Sequence, residues 1–262
     1  MITYYVLAAI SYYFAPKIIP TSKDKFKETH LYYSYYPAAV HAMISTIFVI
    51  IKISTEGLND GTISSNFSRL IIAQSLGYFM HDTVKCELLS LNETPMRIHH
   101  VLSILGCSSG LVGNYGSSEL CNALLIAEVS NIFLTSRAII RYLNLKGNML
   151  YFINELGFAL TFILNRLVIG PIYAMNLFKI ANTPLLCKTL GCLTNFISVI
   201  WIAEILSSIG MKYTMNTKSK LGLMYRKFAN GLKKSPFIFI GFSSAIIMPQ
   251  VILATYNHLN RI

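Results

Sequence analysis

Two adjacent histidines, His99 and His100, stand at the mouth of an apolar run in the stretch ETPMRIHHVLSILG, Glu93 to Gly106. Imidazoles titrate near neutrality, move protons and bind metals. A carboxylate, Asp82 in GYFMHDTVKC, precedes them across the short connector CELLSLNET. Short connections join neighbouring elements, so Asp82 and the histidine pair fall at similar depth on adjacent helices. An imidazole beside a carboxylate can move a proton or act as a nucleophile, while the carboxylate orients the ring and stabilises its charged form. His99, His100 and Asp82 are therefore the catalytic candidates. An iron box of the type H-x-x-H-H is not matched: Met96 stands three before His99, no second box exists, and His30, His81 and His258 are isolated. Imidazole-rich iron sites need more ligands, so neither a metal nor a bound cofactor is expected.

The elements that must position these groups are set by the solvent around them. The chain is 54% hydrophobic and 13% charged, with a mean hydropathy of +0.53. A soluble domain carries roughly 25% charged residues, so 262 residues of this composition cannot cover themselves with polar surface. The bilayer is the main solvent. Apolar runs occur at 2–19, 35–53, 70–86, 98–114, 120–136, 151–175, 189–209 and 236–254. They predict an all-α, polytopic transmembrane bundle of seven or eight spans, the first run being interrupted by Pro16 and Lys17. Of 22 Lys and Arg, 16 lie on the side that holds 16–34, 87–97, 137–150 and 210–235, which the positive-inside rule assigns to the cytoplasm. The net charge of +11 thus needs no nucleic-acid partner. The five cysteines lack zinc spacing, and Cys121, Cys187 and Cys192 fall near the opposite side, where an oxidising lumen would permit a disulfide.

Ionisable residues inside spans cost roughly 2.5–3.5 kcal/mol each on insertion scales and mark functional sites by default. His41 lies about two turns into the second run; Glu128 and Arg166 lie at mid-membrane; Arg137 and Glu155 lie near the basic side. Helical spacing aligns Gln74, Tyr78, Asp82 and Lys85; His99, Ser103, Gly106 and Gly110; Cys121, Glu128, Asn131 and Thr135; and Glu155, Phe162, Arg166 and Gly170. Four polar stripes suit a bundle around a polar-lined cavity open to the cytoplasm, with His41, Tyr78, Glu128, Asn131, Arg137, Glu155 and Arg166 as lipid-binding candidates. The competing reading is interhelical hydrogen-bond glue. About 100° separates helical neighbours; His99 is expected to face the interior with Asp82, and His100 the cavity wall or an adjacent helix.

Five motifs in order carry a resemblance. AVHAMIST, GYFMHDTVKC, RIHHVLSILG, AEVSNIFLTSR and NRLVIGPIY resemble the histidine helix, G-Y-x-x-x-D helix, paired-histidine helix, E-x-S-N/T-P-x-x-x-x-R helix and R-x-x-x-G-P helix of the TLC-domain family, from about Tyr35 to Ile209. The resemblance implies a six-helix core. The chain then divides into a membrane segment and cytoplasmic loop at 1–34, the core at 35–210, a basic cytoplasmic loop at 211–235 and a further membrane segment at 236–262. Ile132 replaces the usual proline of the fourth motif. The H-D-x-x-D signature of ceramide synthases is absent where AEVSN stands, which brings the chain closer to the small TLC-domain-containing proteins.

The resemblance implies a role in membrane lipid homeostasis, in the endoplasmic reticulum or another endomembrane. One reading binds or senses lipid acyl chains in the polar cavity. The other is a ceramide-synthase-like N-acyltransferase working with His99 and His100, with acyl-CoA and a sphingoid base as partners, the CoA phosphates being drawn by Arg137 and the basic loops. A transporter is a remote third reading, because no paired halves with broken helices are visible.

Overall fold

The computed structural model describes residues 26–91, 94–145 and 148–214. Among these the chain is helical: α1 (Phe26–Glu56), α2 (Asn66–Leu88), α3 (Thr94–Val112), α4 (Ser117–Tyr142), α5 (Met149–Ile163), a π-helical stretch (Leu164–Ile169), α6 (Gly170–Lys179) and α7 (Leu185–Thr214). α4 is central and touches α1, α2, α3, α5 and α6; α2 pairs with α3, and α3 with α7. The apolar runs at 2–19 and 236–254, and the basic loop at 215–235, lie outside the described residues.

The helices fall where the six internal apolar runs predict them, with two differences. α1 starts at Phe26 and passes through Pro37. Proline removes one backbone donor and costs a helix interior about 3 kcal/mol; here it is fully buried, so packing offsets that cost. The second difference is the break at 164–169. Pro171 has no N–H to give, and the Gly170 N–H instead reaches the Asn165 carbonyl, five residues back.

Four stretches are long and apolar enough to cross a membrane: Tyr32–Glu56, Ser117–Tyr142, Met149–Lys179 and Leu185–Ile202. α2 and α3 are outside that set, since α2 carries Arg69, Asp82, Lys85 and Glu87, and α3, at 19 residues, carries Arg97 and both histidines. Among the described residues there are six helical stretches, of which four have the composition of a span; the expected spans at 2–19 and 236–254 lie outside the described residues. Side chains support a lipid solvent: Ile47, Ile50 and Ile51 on α1 and Leu156 and Leu160 on α5 are exposed, while Lys52, His41 and Glu119 are fully buried. In water that distribution would be inverted. The apolar core joins α1 to α4 through Val49, Ile71, Ile72, Phe79, Cys107 and Leu124. All five cysteines are free and buried.

Candidate functional site

Asp82, on the inner face of α2, holds two partners. Lys85, one turn on, donates Nζ to Asp82 Oδ1 at 2.6 Å. His100 Nε2 lies 3.4 Å from Asp82 Oδ2. All three side chains are buried. The two histidines therefore take the opposite assignment to the expected one: His100 faces Asp82, and His99 faces the cavity. α3 is rotated so that His99 meets Trp201 of α7 edge-on, with ring centroids 5.2 Å apart, because Gly106 and Gly110 lie against Leu120 of α4 and fix which face turns inward.

A second group sits between α1 and α4. His41 Nε2 lies 3.8 Å from Glu128 Oε1, its Nδ1 shares a hydrogen bond with Ser45 Oγ at 3.2 Å, and its ring stacks on Tyr78 at 4.0 Å. Asn131 Nδ2 donates to Glu128 Oε2 at 3.1 Å. Arg166, carried by the π stretch, donates Nη1 to Ser198 Oγ at 3.2 Å and Nη2 to the Ala127 carbonyl at 3.1 Å. Glu128 and Arg166 are both buried and stand across the same space.

That space is a cavity of about 120 Å³ bounded by α2, α3, α4, the π stretch, α6 and α7. Its wall is mainly apolar, with His99, Glu128 and Arg166 as its ionisable groups apart from Cys107 and Tyr173. Of the ten predicted site residues, these three line it; His41, Tyr78, Asn131, His100 and Asp82 stand behind the wall. Arg137 and Glu155 are elsewhere: they pair at 3.2 Å in a part-exposed position, joined by the Tyr151 hydroxyl. They form a rim contact, and the expected single lipid-binding set divides into a cavity group and this separate pair. Among the described residues no group of three His, Cys, Asp or Glu is placed to hold a metal ion.

Sequence reasoning missed a polar plug at the other end of the bundle. Lys52 Nζ donates to the carbonyls of Gly57 at 2.9 Å and Leu58 at 2.8 Å. Glu119 Oε1 accepts from Gly61 N at 2.9 Å and from Thr183 Oγ1 at 2.6 Å. Asn122 Nδ2 and the Tyr173 hydroxyl both donate to Asp60 Oδ1, at 2.8 and 2.9 Å. Tyr173 also lines the cavity, so its ring ties the loop at 57–65 to the cavity's end. Burial pushes the Asp60 carboxyl above its ordinary value, against the downward pull of those two hydrogen bonds. The available signal was Lys52 inside an apolar run and the pair Glu119 and Asn122 at i, i+3 at the head of α4.

Comparison with known proteins gives one family match. A family model described as the TLC domain matches residues 36–207. Over 104 residues the chain is 33% identical to TLC domain-containing protein 1 of Homo sapiens, covering 37% of this chain and 40% of that protein. Over 102 residues it is 32% identical to the Rattus norvegicus protein of the same name, covering 37% and 40%. The matched segment thus spans less than half the length of these relatives. No solved structure matches.

Proposed function

Because the chain belongs to the TLC-domain family, on a match over residues 36–207, we propose that it is an integral membrane protein of lipid homeostasis that holds a lipid acyl chain in the cavity between α3, α4 and α7. The observation that carries this reading is the cavity itself, apolar over most of its wall and polar at His99, Glu128 and Arg166. An acyl chain matches such a wall, and the polar groups give its functional end a place to settle. We place the basic loops in the cytoplasm and the protein in the endoplasmic reticulum or a related endomembrane, with membrane lipids as its partners. Native mass spectrometry of the detergent-extracted protein tests this: the expected spectrum shows retained lipid, reduced by Leu102→Trp, which fills the cavity from α3. A spectrum free of lipid in the unsubstituted protein counts against the reading.

A second reading, N-acyl transfer from acyl-CoA to a sphingoid base, is favoured by the His100–Asp82 contact at 3.4 Å, the geometry of an imidazole oriented by a carboxylate. The protein with acyl-CoA and a long-chain base would then form an amide, and His100→Ala would abolish it. Product formation unchanged by both His99→Ala and His100→Ala would end this reading.

A further inference from the structure

Gly191 of α7 lines the cavity, and a Cβ placed on it would meet no atom within 4 Å. The direction of that open space follows from its neighbours. Leu190, one residue back, lies against Gly106 of α3, its Cδ1 3.9 Å from where a Cβ would stand. Cys192, one residue on, packs with Ala174 of α6. Successive residues are about 100° apart around a helix, so Gly191 points between α3 and α6. Leu193 falls on the opposite side and is exposed. Ser198, seven residues on, shares the direction of Gly191 to about 20°, and its hydroxyl accepts from Arg166 Nη1. Gly191 therefore faces the interior of the bundle, and the space in front of it is the cavity.

Packing by itself would fill that space. Protein interiors are close-packed, with few voids larger than a water molecule, and a leucine at 191 would occupy this one. The other walls are small as well: Gly106 on α3, Ala123 and Ala127 on α4, Ala174 on α6. Four helices thus withhold bulk from one place. Size then limits what enters. An engineered cavity of roughly 150 Å³ accepts benzene; one of about 120 Å³ has no room for a fused ring system, whereas a segment of one unbranched chain fits.

We infer that Gly191 determines what the cavity admits: its bare backbone leaves the place for a methylene segment of a single unbranched aliphatic chain, about 10 Å along α7 from Ser198 and its bond to Arg166. This rests on the acyl-chain reading above and adds to it the residue that sets selectivity, for a straight chain and against a sterol.

The test photolabels the full chain in phosphatidylcholine nanodiscs with two diazirine probes, a straight-chain fatty acid and a sterol. In the unsubstituted protein the fatty acid is expected to label peptides of α3, α4 or α7 at least about tenfold above the sterol. Gly191→Leu should lower that labelling at least about tenfold. The same substitution should raise the thermal midpoint of the delipidated protein in detergent, because it fills a void and replaces a glycine inside a helix. A glycine needed only for close helix packing would lose stability instead. Leu193→Phe adds bulk on the lipid-facing side of α7 and should leave labelling unchanged. Equal labelling by the sterol, retained labelling in Gly191→Leu, a lowered midpoint in that variant, or an equal loss in Leu193→Phe overturns the inference while the acyl-chain reading stands. Should Gly191→Leu not fold, Gly191→Ala decides: a drop of about threefold in fatty-acid labelling supports the inference, and unchanged labelling overturns it. If neither probe labels a cavity peptide of the unsubstituted protein, the acyl-chain reading fails and takes the inference with it.

Discussion

Asp82 is an anion held between two nitrogens in a buried place, Lys85 Nζ on one oxygen and His100 Nε2 facing the other. Removing one member of such a group leaves an uncompensated buried charge, at a cost of about 3–5 kcal/mol, whereas replacing the ions together by apolar groups is far less harmful. Lys85→Met should therefore lower the thermal midpoint of the detergent-solubilised protein steeply, by about that free energy. Lys85→Met with Asp82→Leu should recover most of the loss. A double variant no more stable than the single one would show that the pair is not a unit. The types and depth of these residues were legible from the sequence: an Asp and two His across a nine-residue connector had to come close. Which histidine meets the Asp was not legible. Helical spacing fixes the angle between His99 and His100, but the rotation of α3 is set by tertiary contacts, Leu120 against Gly110 and Trp201 against His99, and no local pattern encodes these.

At the scale of elements, the break between α5 and α6 positions Arg166. A Cβ on Gly170 would lie 2.7 Å from Asn195 Oδ1 and 2.9 Å from the Asn165 carbonyl. The first atom belongs to a side chain anchored by hydrogen bonds from its Nδ2 to Gly170 O and Gly191 O, and the second is backbone, so neither yields easily. Gly170→Ala is expected to cost about 1–3 kcal/mol by overpacking. At Gly110 the nearest atom to an added Cβ is Leu120 Cδ1 at 2.4 Å, the end of a flexible side chain, and Gly110→Ala should cost less than Gly170→Ala. Thermal unfolding of the two variants side by side checks the order, and equal losses would sink the distinction. The R-x-x-x-G-P pattern was visible in the sequence, but the π geometry was not, because apolar periodicity over 151–175 reads as one continuous helix.

The loop at 57–65 titrates. Asp60 is buried enough for its carboxyl to sit above the ordinary 3.8 despite bonds from Tyr173 and Asn122 and the charge of Lys52, with Glu119 opposing. An acid whose folded value exceeds its unfolded one binds its proton more tightly when folded. Its contribution to stability is complete below the unfolded value and is lost as pH rises through the raised folded one. Asp60→Asn keeps an acceptor for Tyr173 without the charge, so its thermal midpoint should gain on that of the unsubstituted protein as pH rises from 3.8 upward. A gap between the two that stays constant from pH 4 to 7 would contradict the shift.

For the whole molecule, composition alone was enough to name the bilayer as solvent, and the positions of six helices followed from the apolar runs. Of the seven or eight expected spans, those at 2–19 and 236–254 lie outside the described residues, and four of the six helical stretches among the described residues have the composition of a span. α2 and α3 carry the charges that build the site, and those same charges pull them below the hydropathy of a membrane helix. Sidedness is the property at this scale that the charge distribution predicts most directly. With 16 of 22 basic residues on one side, the connector after α4 should be cytoplasmic and the loop after α1 should face away. The buried native thiols make this measurable, since they leave little background for a membrane-impermeant maleimide. Ile63 in the first loop and Leu145 in the second are both exposed. In sealed microsomes reached from the cytoplasmic side, Leu145→Cys is expected to be labelled at once and Ile63→Cys only after detergent is added. Labelling in the reverse order would invert the whole molecule, and with it the side on which the Asp82–His100 contact lies.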